Sequence, residues 1–145
     1  RDWPANAGLD KVVSALAPVK ALVGRDGGGG VLSWADLIVL AGTEAIAAAG
    51  GPELSFCSGR ADAVDGSGSE HLEPKLGDGP EATVSDVREA IALSGLTARE
   101  WVALRGSRAL GIMAAPYSGS WTESPNSLTN AYFANLAELT WQPYT

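Results

Sequence analysis

The chain has 145 residues, of which 46% are hydrophobic, a size that suits one domain around a single core. Its formal net charge of -7 argues against a nucleic-acid or anionic-membrane surface, because binding to phosphate depends on Lys and Arg displacing counterions. A single cysteine, Cys57, excludes an internal disulfide. No apolar run approaches the roughly 20 residues that span a bilayer, and no signal-peptide pattern stands at Arg1. The abrupt start Arg1-Asp2-Trp3-Pro4 suggests a processed or truncated terminus.

In chain order, the pattern predicts five helices. The first runs from about Ala7 to Val23, with Leu9, Val12, Val13, Leu16 and Val19 on one face and Pro18 expected to bend or break it. Gly24 to Gly30 reads as a connecting loop. Ser33, with Asp36 three residues on, repeats a helix-start pattern and opens the second helix through Leu37, Ile38, Leu40, Ala41 and Ile46, stopped by Gly50-Gly51-Pro52. Two further Gly/Pro-rich loops are expected at Gly50 to Gly68 and Leu76 to Pro80. Thr83 and Asp86 cap a third helix that ends at Gly95, and Thr97 with Glu100 forms a capping box for a fourth that ends at Gly106. The last runs from about Leu128 to Leu139, with Tyr132, Phe133 and Leu136 sharing a face. No alternating strand pattern of useful length occurs, so the fold class is all-α.

The inventory of catalytic groups is short. A zinc-type site needs three or four His, Cys or carboxylate ligands, and a serine triad needs a His base, yet the chain holds one His and one Cys. His71 follows Gly66-Ser67-Gly68-Ser69-Glu70, a composition that predicts an exposed loop side chain. Gly27 to Gly30 lacks the Lys-Ser/Thr of a phosphate cradle and reads as a linker. Glu44 is either a buried functional carboxylate or the wet edge of its helix, and Cys57 is either a thiolate favoured by Arg60 or a packed, inert thiol. The tryptophans Trp3, Trp34, Trp101, Trp121 and Trp141 suit core, redox-relay or partner-anchor positions.

Several segments, in order, resemble the haem peroxidases of the ascorbate peroxidase and catalase-peroxidase class. They are Ser33-Trp34-Ala35-Asp36-Leu37 with Leu40-Ala41-Gly42, Phe56-Cys57-Ser58-Gly59-Arg60-Ala61-Asp62, Leu72-Glu73-Pro74-Lys75, Trp121-Thr122-Glu123-Ser124-Pro125 with Leu128-Thr129-Asn130 and Tyr132-Phe133, and Thr140-Trp141-Gln142-Pro143. The likeness is greatest to the C-terminal domain of catalase-peroxidases. A weaker likeness, to an ascorbate-peroxidase-like protein of the thylakoid lumen, rests on Ala82-Thr83-Val84 and Gly95-Leu96-Thr97-Ala98-Arg99.

The resemblance implies a partial plant-type peroxidase fold, one domain over 1–145, lacking the upstream distal helix and the downstream C-terminal helices. It places Arg108, in Gly106-Ser107-Arg108-Ala109-Leu110-Gly111, where active members hold the haem iron with a histidine. A guanidinium keeps its proton and has no lone pair for iron. It also implies that Trp121 occupies the proximal tryptophan position and that Thr122 and Thr129 mark a degenerate cation site, Thr129 standing where an Asp is expected. The expectation drawn from this is a non-catalytic, cofactor-free pseudo-peroxidase serving as a structural or auxiliary subunit of a larger protein complex. Trp3, Trp141 and Tyr144 would be its interface anchors, and a chloroplast, thylakoid-associated setting follows from the weaker likeness. The alternatives are a haem-dependent peroxidase that reduces hydrogen peroxide in oxidative stress, with its haem-ligating parts outside this chain, and a module that binds a small molecule in the vacated cleft.

Overall fold

Helix starts in this chain are set by short polar side chains that take up backbone N–H groups no helix can satisfy for itself. The computed structural model describes residues 6, 8–23, 32–72, 83–112 and 119–140, with backbone alone for 70–72. The Gly24 to Gly30 and Leu76 to Pro80 loops, and Trp3, Trp141 and Tyr144, lie outside the described residues.

Among the described residues there are five α-helices: α1 (Asp10–Val23), α2 (Trp34–Ala48), α3 (Val84–Ser94), α4 (Ala98–Arg105) and α5 (Ala131–Glu138). Among the described residues no strand occurs beyond one isolated antiparallel bridge between Ile112 and Ser120, so the class is all-α. No helix of the described residues is long and apolar enough to cross a membrane.

The capping boxes of α3 and α4 form as the spacing predicts. The Thr83 hydroxyl accepts from the Asp86 N–H at 3.3 Å while the Asp86 carboxylate accepts from the Thr83 N–H at 2.6 Å. Thr97 and Glu100 make the same exchange at 3.3 and 2.8 Å. Gly95 closes α3 at φ 69°, a left-handed conformation that glycine adopts at no steric cost.

Two expectations differ. The first helix is not broken at Pro18, the residue being exposed and the carbonyl that loses its donor, on Ser14, lying on an exposed turn within reach of water. The last helix begins at Ala131 and not Leu128, which lies in the segment before it with its N–H donating to the Ala49 carbonyl at 2.9 Å.

That bond ties the 124–128 segment to the end of α2, and a second, from the Gly111 N–H to the Pro125 carbonyl at 2.7 Å, ties it to the turn after α4. α5 packs on the 3-10 turn Gly106–Ala109 that continues α4, and α1 packs on α2. The buried apolar residues among those described are Leu37, Ala90, Trp101, Ala109 and Tyr132. α1 buries no residue at all.

Close approach at Gly51 fixes how the end of α2 meets Leu128. A Cβ there would stand 2.6 Å from Ile46 Cγ2, 2.8 Å from the Ile46 carbonyl oxygen and 2.8 Å from Leu128 Cδ2. Gly51→Ala should therefore cost about 1–3 kcal/mol, the usual price of overpacking. Gly42→Ala, inside α2 with nothing within 4 Å of the new methyl, should gain about 0.5–1 kcal/mol instead. Urea denaturation of the two variants checks the opposite signs.

Candidate functional site

Two clusters of polar and aromatic side chains organise the described residues. The first surrounds the amino terminus of α2. Ser33 caps it by accepting from the Asp36 N–H at 3.0 Å, but Asp36 does not turn back to complete a box. Its carboxylate, 3% exposed, instead accepts from the Gly59 N–H at 2.7 Å, from the Arg60 N–H at 3.3 Å and from Arg60 Nη1 at 2.9 Å.

The helix end is closed by a residue from the same loop. Asp62 accepts from the Trp34 and Ala35 N–H groups at 2.9 and 2.8 Å. Helix and loop thus exchange carboxylates, each satisfying the other's backbone donors. The Gly59 N–H bond, followed by the hydrogen bond to Arg60, holds the Asp36 carboxyl below its ordinary value of 3.8 despite burial. The N–H groups of Trp34 and then Ala35 lower Asp62 in the same way.

Lys20 of α1 reaches this cluster, donating to the Leu32 carbonyl with its ammonium 5.9 Å from the Trp34 ring centroid. Arg60 Nη1 also donates to the Cys57 carbonyl at 2.7 Å. The guanidinium therefore serves the backbone and Asp36, and the Cys57 side chain is exposed, not packed. Glu44 lies on the exposed side of α2.

The second cluster contains the sequence-predicted site residues. Arg108, half-buried on the turn after α4, places its guanidinium carbon 5.0 Å from the Trp121 ring centroid. Trp121 meets Tyr132 edge to face at 6.0 Å, and Tyr132 meets Phe133 at 5.3 Å. Phe133 packs against Gly106, where a Cβ would come within 3.2 Å of the ring. The Asn135 side-chain amide donates to the Trp121 carbonyl at 3.1 Å, fixing the loop to α5.

Thr122 and Thr129 have separate duties. The buried Thr122 hydroxyl donates to the Ala109 carbonyl at 3.0 Å, and Ser120 donates to the Thr122 carbonyl at 2.6 Å. Thr129, which is exposed, accepts from the Ala131 N–H at 3.2 Å at the start of α5. Trp34 and Trp121 are half-buried and Trp101 is buried beneath Arg105, whose guanidinium carbon is 5.4 Å from the ring. His71 ends in a short 3-10 segment, Ser67–Leu72, and its side chain is outside the described set.

Iron ligation needs a lone pair from an imidazole, thiolate, thioether or phenolate. Arg108 has none, Cys57 is an exposed loop residue, the Tyr132 ring is buried against Trp121 and Phe133, and among the described residues no group of three or more His, Cys, Asp or Glu could hold a metal. The described side chains do not fit an iron-ligating set.

A family model described as Peroxidase matches residues 1–142. A protein named "Putative heme-binding peroxidase" from Pyricularia oryzae is 36% identical over 98% of this chain and 46% of its own length. The cytosolic L-ascorbate peroxidase 2 of Arabidopsis thaliana is 36% identical over 91% of this chain and 49% of its own. A catalase-peroxidase of Pseudomonas entomophila is 38% identical over 99% of this chain and 21% of its own. The chain spans less than half the length of each.

These findings correct two expectations, that the chain is not an enzyme and that it takes no cofactor. The relatives are named as peroxidases, one of them as heme-binding, which points to an enzyme family that uses haem. The expectation failed because it counted ligands only within this segment, whereas more than half of each relative lies beyond the match.

Two outcomes follow from the geometry. Because folding lowers both carboxyl pKa values below 3.8, the Asp36/Asp62 exchange contributes stability above that pH and loses it as pH falls through the lower folded values. Asp36→Asn should melt lower than the parent near neutrality, and the gap should close towards about pH 2; melts across that range check it. Arg108→Ala should cost about 0.5–2 kcal/mol, the range for a cation over an indole that is neither fully exposed nor fully dry, as read by denaturant unfolding.

Proposed function

Because this chain belongs to the peroxidase family, we propose that it is one part of a haem-dependent peroxidase that reduces hydrogen peroxide, with the iron-ligating groups supplied from outside the chain. The observation that carries the reading is the match over residues 1–142 together with relatives of which this chain covers less than half. In this reading the chain is a single peroxidase-like segment to which distal and C-terminal helices are added, and a role in oxidative-stress response follows from the reaction.

The Arg108–Trp121–Tyr132 cluster then acts as a structural wall. Arg108 stands where the resemblance puts the iron ligand, Trp121 where it puts the proximal tryptophan, and the charge of Arg108 is accommodated over the indole face. Thr122 and Thr129 are read as a cation site that has lost its carboxylate, with the Thr122 hydroxyl turned to the Ala109 carbonyl. The aromatic residues outside the described set, Trp3, Trp141 and Tyr144, suit contacts with the added polypeptide. The relative named as cytosolic lends no support to a thylakoid-associated setting, which rests on the weaker likeness alone.

Steady-state assay of the native assembly that contains this chain tests the proposal. Peroxide-dependent oxidation of ascorbate or guaiacol is expected, and it should survive Arg108→Ala, since that side chain holds no iron. An assembly with no turnover on any such donor would refute the reading. Turnover abolished by Arg108→Ala in a variant that keeps its melting temperature would refute the structural role given to Arg108.

A further inference from the structure

Glycine follows aspartate three times in the chain, at Asp26-Gly27, Asp65-Gly66 and Asp78-Gly79, and the middle pair lies among the described residues. Such a pair carries a latent reaction of its own. Glycine has no Cβ to crowd its nitrogen, so that nitrogen can attack the carboxyl carbon of the preceding Asp and close a five-membered ring. The N–Cγ bond forms, the nitrogen's proton and the carboxyl OH leave as water, and a succinimide results. Water then opens the ring at either carbonyl. Opening at the carbonyl next to Cα leaves an isoaspartate, with the main chain rerouted through Cβ and Cγ and neither mass nor charge changed overall.

Residues 61–68 are exposed, so water has access to a ring formed there. The carboxylate, however, is already engaged. Asp65 Oδ1 accepts from the Ser67 N–H at 3.0 Å and from the Ser67 hydroxyl at 2.6 Å. An Asp bonded to the backbone two residues on is a common turn, and here the hydroxyl gives the same oxygen a second donor. Ser67 opens the 3-10 segment Ser67–Leu72, and the Ser69 N–H donates to the Gly66 carbonyl at 2.9 Å, so the residues that follow Asp65 are held as well.

Two effects oppose ring closure. The carboxyl that reacts is the neutral acid, because only then can its OH depart, and the Ser67 hydroxyl, followed by the Ser67 N–H, holds Asp65 below its ordinary value of 3.8. The neutral fraction at neutral pH falls accordingly. Closure also requires the carboxyl to swing from Ser67 to the Gly66 nitrogen, and that swing gives up both Ser67 bonds.

We infer that Asp65-Gly66 is an isoaspartate-forming site held in check by Ser67, a positioning residue that keeps the carboxylate turned to its own N–H and hydroxyl and away from the Gly66 nitrogen. The modification would matter locally. It would add an atom to the main chain and remove the acceptor at the head of the Ser67–Leu72 segment.

The test incubates the full chain under folding conditions near neutral pH and follows position 65 by peptide mapping with electron-transfer fragmentation, which separates isoaspartate from aspartate. Isoaspartate should form about fivefold faster in Ser67→Ala, the factor that one modest hydrogen bond carries. Ser67→Thr, which retains both donors, should keep the parent rate. Asp65→Glu, whose longer side chain closes no five-membered ring, supplies the blank. In a synthetic peptide of residues 61–70, where the turn is not held, the Ala substitution should leave the rate unchanged. Ser67 is exposed, so the variants should fold.

An unchanged rate in Ser67→Ala would overturn the inference, as would a Ser67→Thr rate equal to that of Ser67→Ala. An acceleration by alanine that the peptide reproduces in full would overturn it too, since the effect would then owe nothing to the fold. So would isoaspartate that forms in the peptide but in neither the parent chain nor Ser67→Ala.

Discussion

The amino terminus of α2 is the point on which the rest of the fold turns. A helix leaves its first N–H groups without internal partners, and here those of Trp34 and Ala35 are taken by Asp62, 27 or 28 residues further along the chain. In return Asp36, from the first turn, accepts from Gly59 and Arg60 in the same loop. The exchange fastens an otherwise irregular stretch, 51–64, to the helix that α1 also packs against. Lys20 and Trp34 join α1 to the same corner, so the packing of α1 and the anchoring of the loop meet at one small set of side chains.

A second constraint governs the carboxyl half. Arg108 is a permanent cation on a half-buried turn, and its position over Trp121 gives that charge a favourable neighbour. Trp121 is in turn fixed by Tyr132 and by the Asn135 amide, and the Gly106–Phe133 contact draws α5 onto the turn. The cluster behaves as packing and not as an iron site. Membership of the peroxidase family and the lack of an iron-ligating set in this cluster are compatible if the ligand lies outside the described residues.

Local chemistry was legible in the sequence wherever its partners are close in the chain. The Thr83/Asp86 and Thr97/Glu100 boxes and the left-handed Gly95 involve residues at most a few positions apart, and each formed where expected. The helix count and the all-α class followed from the same signals. Asp36 was legible as a helix-start residue but not in its bonds, since nothing local distinguishes a carboxylate that folds back on Ser33 from one that reaches Gly59. Asp62 entered only through a family resemblance, because a cap contributed from another loop leaves no spacing to read. Of the two environments that suit Cys57, the packed one is not seen: its thiol is exposed, and Arg60 binds its carbonyl. The larger error is one of scope: a shortage of ligands within this segment says little about the whole protein when the segment spans less than half the length of relatives named as peroxidases.

The account stands or falls on whether haem accompanies this chain in its native assembly. The absorption spectrum of that assembly, followed by a pyridine haemochrome titration, decides the matter most directly. The account predicts a Soret band and haem in fixed stoichiometry with this chain. A purified, intact assembly with no Soret band would contradict it.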